Sequence, residues 1–178
     1  MEIKKSEMES FVKKSRETVG RDEKSPFSLE DAYYLSQILN LDGVLYIEKF
    51  DNTRHVNVLL DLGRENVTLY DPLKGVKTKT LNEIQMGMYC KPVGKLKEEF
   101  DAYIKKSKTN EPDGIWFQYK SEGELLFDFL INNDNFKSIY SENVPKYMPI
   151  LQNDKKSSDC VPISLFIISL FNSLYSKS

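Results

Sequence analysis

The chain has one histidine, two cysteines and one tryptophan. Cys90 and Cys160 cannot supply a disulfide framework. The expected compartment is therefore a reduced cytosol, either the cell's own or that of a host into which the protein is delivered as an effector. No cofactor or metal is expected. Any catalytic arrangement must be built around His55 and one of the two thiols.

An excess of basic charge and a long hydrophobic run are also missing. Lysine and arginine number 25 against 27 acidic residues, a net charge of −2, so nucleic acid is not an expected partner. Residues 1–5 lack the apolar core of a secretory signal. The most apolar stretch, Ile163–Phe171, is interrupted by two serines and is shorter than the roughly 20 residues of a membrane span. We therefore predict a buried core helix and no membrane partner.

At 178 residues, 40% of them hydrophobic, the chain suits one globular domain. We assign that domain to residues 25–178, after a charged, weakly amphipathic helical extension at 1–24. Apolar spacing and capping signals predict helices at 29–39 and 95–106, strands at 44–50, 54–62 and 67–70, and short β segments at 115–119 and 147–151. Residues 76–92 and 123–131 are ambiguous. The expected fold is α+β, a small mixed or antiparallel sheet packed against a central, buried C-terminal helix that begins at Cys160.

His55 and Asp71 lie on two predicted strands that turn residues at 63–66 join into a hairpin. In such a hairpin His55 faces positions 72–74, so Asp71 is within reach as a diagonal neighbour. A carboxylate beside an imidazole fixes its tautomer and stabilises the imidazolium, as a general base requires. The turn type decides whether both side chains share a face, and the sequence leaves that open.

Cys160 stands where a polar loop enters the apolar C-terminal helix. A helix N-terminus carries partial positive charge and stabilises a thiolate, so this cysteine is a candidate nucleophile. Gln152 precedes it in the same loop region. Cys90 has no comparable surroundings and is expected to be structural.

The order His55, Asp71, Gln152, Cys160 resembles that of the ubiquitin-like-protein proteases of the Ulp/SENP and adenovirus-protease (adenain-like) type. Residues 55–60 are similar to the family's histidine strand, 67–73 to its acid strand ending in Tyr-Asp, and 152–165 to its Gln…Asp-Cys turn into a helix. These segments span most of the chain. The resemblance implies the papain-like cysteine protease superfamily with the adenain-like order, in which the cysteine comes last.

The resemblance implies a role for each of these residues. Cys160 would be the nucleophile, His55 its general base, and Asp71 the residue that orients the imidazole. The Gln152 amide, with the Cys160 backbone N–H, would bind the oxyanion of the tetrahedral intermediate.

The resemblance also implies a substrate. The enzyme would cleave after the C-terminal glycine of ubiquitin or a ubiquitin-like modifier, through a thioester, with the modifier and its conjugates as partners. Trp116 could line the narrow cleft for the glycine tail, together with Phe117. Val56 stands where the family commonly has an aromatic residue of that cleft.

Two other functions stay open. YopJ-type bacterial acetyltransferases resemble the same family and use the same kind of triad to transfer acetyl from acetyl-CoA, but they would need a basic pocket that this sequence does not concentrate. The other is a binding module without catalytic activity. Papain-like and transglutaminase-like enzymes place the cysteine before the histidine, so the order here argues against them.

Overall fold

The computed structural model describes residues 1–50, 53–85, 89–108, 122–153 and 158–177. The elements follow in the order α1 (Lys5–Val19), α2 (Leu29–Ile38), β1 (Gly43–Phe50), β2 (Thr53–Leu62), β3 (Asn66–Asp71), β4 (Gly75–Thr80), α3 (Leu81–Gln85), β5 (Tyr89–Val93), α4 (Lys95–Ser107), α5 (Glu122–Ile131), α6 (Asp134–Ile139), a 3₁₀ turn (Ser141–Asn143) and α7 (Cys160–Lys177). The predicted α+β fold is confirmed.

Five strands form one antiparallel sheet in the order β4-β3-β2-β1-β5. The three predicted strands correspond to β1, β2 and β3. The ambiguous stretch 76–92 contains most of β4 and the start of β5. β5 includes Pro92, which is tolerated because β5 is an edge strand and its proline need not donate to a second neighbour.

The β2–β3 hairpin contains an extra residue in β2. The hairpin closes with the Gly63 N–H donating to the Asn66 carbonyl at 2.9 Å. Leu62 pairs with Val67 at the turn end, but beyond the irregularity the pairs are Leu59 with Leu69 and Val58 with Tyr70. Leu60 therefore forms a β-bulge, which shifts the register of the rest of the hairpin by one residue.

The C-terminal helix α7 runs through the hydrophobic core, as predicted. Leu165, Ile167 and Phe171 are fully buried. The Ser164 hydroxyl donates to the Val56 carbonyl of β2 at 3.4 Å, which ties the start of α7 to the sheet. Within the described part of the chain, no helix is long and apolar enough to cross a membrane.

The N-terminal segment is a helix that packs on the domain. Met8 and Val12 of α1 are buried in the same hydrophobic core as α7. The rings of Phe11 and Phe166 contact each other with centroids 5.6 Å apart. The extension predicted at 1–24 thus contributes apolar side chains to the core.

Other local predictions fared differently. α2 begins with a full capping box between Ser28 and Asp31, as the sequence indicated. Residues 123–131 lie in helix α5, whereas the short α6 was not predicted. The β segment expected at 147–151 is wrong, because this stretch pairs with no strand among the described residues. The strand expected at 115–119 lies outside the described residues.

Candidate active site

His55 and Asp71 form a direct pair at one end of the sheet. The His55 Nε2 atom lies 2.5 Å from Asp71 Oδ1. The β2–β3 pairing continues from Val58–Tyr70 toward the start of β2, which sets both side chains on the same face of the hairpin. An ionised carboxylate can only accept, so Nε2 carries the proton of this hydrogen bond.

Cys160 is the second partner of the imidazole. Cys160 lies close enough to His55 to interact with the ring, and this interaction contributes to the raised pKa of His55. Because Nε2 is engaged by Asp71, Nδ1 is the ring nitrogen that remains for the sulfur. The structure therefore brings three predicted site residues together in the order acid, imidazole, thiol, which is the geometry of an activated nucleophile.

The start of α7 places the thiol at this end of β2. Cys160 is the first residue of the helix, and the Ile163 N–H donates to the Asp159 carbonyl at 3.0 Å in its first turn. Pro162 fits there because a first-turn N–H has no helical acceptor in any case. The side chain of Cys160 is half-buried, so its sulfur lies at the edge of the core.

Both ionisable partners of the pair have shifted pKa values. Burial alone would lower the pKa of His55, but hydrogen bonds to Asp71 and Cys160 outweigh it and raise that pKa to about 9. Burial opposes ionisation of Asp71, yet hydrogen bonds from His55 and Lys77 hold the pKa of its carboxyl well below the usual range. At neutral pH the pair is therefore imidazolium and carboxylate.

A buried ionic network extends behind Asp71. Lys77 Nζ contacts Asp71 Oδ2 at 2.9 Å and Glu48 Oε1 at 2.5 Å. Lys79 Nζ also reaches Glu48 Oε1, at 3.0 Å. The Leu73 N–H donates to Asp71 Oδ1 at 2.8 Å. The carboxylate of Asp71 is thus fixed on both oxygens.

Lys77 and Glu48 were not predicted to be parts of the site. Lys77 lies in β4, within the stretch 76–92 whose secondary structure the sequence left ambiguous. A usable signal was present in the alternation of β4, since Lys77 and Lys79 share one face of the strand. Glu48 follows the run Val44–Ile47 inside a predicted strand, and an acid that becomes buried there needs a charged or hydrogen-bonded partner.

Gln152 is attached to the turn that follows Asp71. The backbone N–H groups of Leu151 and Gln152 both donate to the Pro72 carbonyl, at 3.1 and 2.9 Å. The Tyr70 hydroxyl donates to the Pro149 carbonyl at 2.7 Å and holds the same segment. Gln152 itself is buried. It therefore lies at the end of the sheet where His55 and Asp71 meet.

A groove of about 930 Å³ adjoins the site between α1 and the loops that carry Gln152 and Asp159. Asn153 and Ile163 line it on the domain side, and Arg16 lines it on the α1 side. Gln152 and the residue before Cys160 thus border the same concave surface, large enough for an extended peptide segment.

The remaining predicted residues are placed as follows. Val56 is buried in the core. Because successive side chains of a strand point to opposite faces of the sheet, the Val56 side chain points away from that of His55. Contact between Val56 and a substrate stays a prediction. Trp116 and Phe117 lie outside the described residues. Cys90 packs at the border of the core, and burial raises the pKa of its thiol to about 12.

Comparisons with known proteins provide no assignment. No family model matches the chain, and no curated protein or solved structure matches it. Within the described ranges, no group of three or more His, Cys, Asp or Glu side chains could hold a metal ion. What can be inferred about function therefore rests on the geometry around His55.

Proposed function

We propose that the chain is a cysteine peptidase of the papain-like superfamily with the adenain-like order of catalytic residues. The observation that carries this proposal is that the imidazole of His55 hydrogen-bonds Asp71 and also lies within interaction distance of Cys160. A triad of this kind needs an oriented imidazole within hydrogen-bond reach of the nucleophile. His55, Asp71, Gln152 and Cys160, which the sequence suggested for one reaction, lie at or beside the same end of the sheet.

The first half of the reaction forms a thioester. The Cys160 sulfur attacks the carbonyl carbon of the scissile amide, and His55 holds the proton that the thiol gives up. The Gln152 side-chain amide and the Cys160 N–H donate to the oxyanion that develops. The C–N bond then breaks as His55 transfers its proton to the leaving amine.

The second half regenerates the enzyme. A water molecule attacks the thioester carbonyl, and His55 accepts one proton from that water. The C–S bond breaks, the acid product leaves, and the sulfur returns to its pairing with the imidazolium. Throughout, Asp71 keeps the ring oriented and balances its positive charge, with Lys77 and the Leu73 N–H holding the carboxylate in place.

The proposed substrate is the C-terminal glycine tail of ubiquitin or a ubiquitin-like modifier joined to an amine. Support for this class comes from the three motif segments around His55, Asp71 and Cys160 and their order along the chain. The groove beside Gln152 and Asp159 offers space for an extended tail. Action in a reducing cytosol fits a free catalytic thiol.

A probe experiment tests the proposal. Ubiquitin and SUMO carrying a C-terminal vinyl sulfone should each be offered to the wild-type chain, to Cys160→Ala and to Cys90→Ala. We expect adduct formation with at least one probe in the wild type and in Cys90→Ala, and none in Cys160→Ala. Transfer of labelled acetyl from acetyl-CoA in place of probe labelling would overturn the peptidase assignment. Absence of both reactions in a folded chain would favour a binding module.

A further inference from the structure

Arg16 is a buried arginine at the end of α1, far in sequence from every predicted site residue. It is only 6% exposed. Its Nη1 donates to the carbonyls of Asp22 and Ser25, at 2.6 and 2.8 Å. Its Nη2 donates to the Ser158 carbonyl and hydroxyl, both at 3.3 Å, and to Asp159 Oδ1 at 2.5 Å. One guanidinium thus joins three segments of the chain.

Two of the residues that accept hydrogen bonds from Arg16, Ser158 and Asp159, come directly before the candidate nucleophile in the chain. Asp159 is the residue before Cys160, and its carbonyl accepts a hydrogen bond of the first turn of α7. The direction in which the helix leaves this residue sets the position of the sulfur relative to His55. A contact that fixes both the backbone at Ser158 and the side chain of Asp159 therefore fixes the start of the helix.

Arg16 is itself held firmly. The ring of Phe27 lies beneath the guanidinium, with the Arg16 Cζ atom 5.0 Å from its centroid. Met8 and Val12 anchor the preceding turns of α1 in the core. A planar, multiply bonded guanidinium on a rigid helix loses little freedom when it binds, so it is suited to holding a loop in one geometry.

We infer that Arg16 is a positioning residue for Cys160, and that α1 is in this way a part of the active site. The inference rests on the proposed function, because it concerns the nucleophile of that reaction. Arg16 acts through Ser158 and Asp159 and holds the sulfur within reach of the imidazole. Misplacement of reacting groups by about 1 Å costs on the order of 10²-fold in rate.

The test replaces the guanidinium without removing its charge. Arg16→Lys keeps a cation but loses the fork that reaches several acceptors at once. Asp159→Asn is the milder partner change, because that side chain is 35% exposed. Arg64→Lys is the matched control, because Arg64 is exposed in the turn between β2 and β3 and does not line the groove.

Three measurements should be made on each chain. They are the rate of iodoacetamide alkylation at Cys160 as a function of pH, the kcat and KM on the substrate that the probe experiment identifies, and urea unfolding. We expect Arg16→Lys to slow alkylation and lower kcat by about 10²-fold with little change in KM. Asp159→Asn should act in the same direction, more weakly, and Arg64→Lys should match the wild type.

The outcomes separate this inference from the proposed function. If wild-type Cys160 reacts no faster than N-acetylcysteine at neutral pH, the proposed nucleophile fails. If wild-type Cys160 is fast, and Arg16→Lys and Asp159→Asn are equally fast, only the role of Arg16 is overturned. If Arg16→Lys does not fold, Asp159→Asn decides by the same criterion.

Discussion

Lys77 Nζ lies 2.9 Å from Asp71 Oδ2, while His55 Nε2 binds the other oxygen of the same carboxylate. Asp71 thus stands between two cations, one on β4 and one on β2. Lys77 also contacts the buried Glu48. These two cations keep the carboxylate of Asp71 ionised, whereas burial alone would favour its protonated form. It also makes the state of the imidazole sensitive to a residue that does not touch it.

Lys77→Met should change the titration of His55. Without the Lys77 ammonium, His55 is the one cation that contacts the Asp71 carboxylate among the described residues. The carboxylate should then favour the imidazolium more strongly, so the His55 pKa should rise further. The free energy of unfolding should fall by about 1–3 kcal/mol because Asp71 and Glu48 each lose a charged partner. The chain has one histidine, so its ring C–H signal in an NMR pH titration reports this pKa directly.

Lys79→Met is the control for that experiment. Lys79 contacts Glu48 at 3.0 Å and, among the ion pairs of the described residues, has none with Asp71. It should cost stability in the same way and leave the midpoint of the His55 titration where it is. Equal midpoints in Lys77→Met and the wild type would show that Lys77 does not act on the pair.

Stability should fall as the pH rises through the alkaline range. The His55 pKa is raised to about 9 in the folded chain, above its ordinary value of 6.5. The contribution of the His55 imidazolium to the free energy of unfolding is therefore complete below pH 6.5 and is lost progressively as the pH rises through 9. The loss should be on the order of 3 kcal/mol, measured by urea unfolding at several pH values. His55→Gln should lack this component, and a parallel pH dependence in that variant would contradict the assignment.

Gln152→Ala should reduce the rate of the reaction more than the affinity for substrate. An oxyanion donor acts in the transition state, so kcat should fall by roughly 10²–10³-fold with KM nearly unchanged. The segment should stay in place, because its bonds to the Pro72 carbonyl come from backbone N–H groups. Steady-state kinetics on the substrate found with the probes measures the effect. Asn153→Ala, an exposed neighbour on the same groove, is the control and should retain kcat.

Gly94→Ala should destabilise the fold at a point remote from the site. Gly94 has φ +70°, and a Cβ there would overlap the Leu41 carbonyl oxygen and crowd the Asp42 carboxylate. Gly20 has a similar φ of +73° with no atom within 4 Å of a Cβ. Gly20→Ala should cost about 1 kcal/mol from backbone conformation alone, and Gly94→Ala clearly more, by chemical denaturation. Equal costs would show that the space around Gly94 relaxes freely.

The hairpin and the C-terminal helix could be predicted because their signals are local. Alternating apolar residues and turn residues define β2 and β3, and a dense apolar run defines α7. The predicted proximity of His55 and Asp71 followed from hairpin pairing alone. Whether they share a face could not be predicted, because it depends on the bulge at Leu60, which falls within a continuous apolar segment.

The parts that were missed depend on long-range contacts. The segment 147–151 has the composition of a strand, but the N–H of its last residue, Leu151, donates to the Pro72 carbonyl, as does the N–H of the next residue, Gln152. Arg16 lies 143 residues from Asp159. No local pattern distinguishes an arginine that becomes buried from one that stays on the surface. Such residues can be found only when the packing of α1 is known.

Leu60 makes the site depend on strand pairing as well as on the identity of its side chains. If Leu60 were paired in the ladder, the register that begins at Leu62 and Val67 would continue unshifted and set Asp71 opposite Val58. Cross-strand partners share a face, so the carboxylate would then project to the side of the sheet away from His55. A chain of the same length in which Leu60 joined the ladder could retain every member of the triad and still be inert, and a sequence motif would fail to detect the loss.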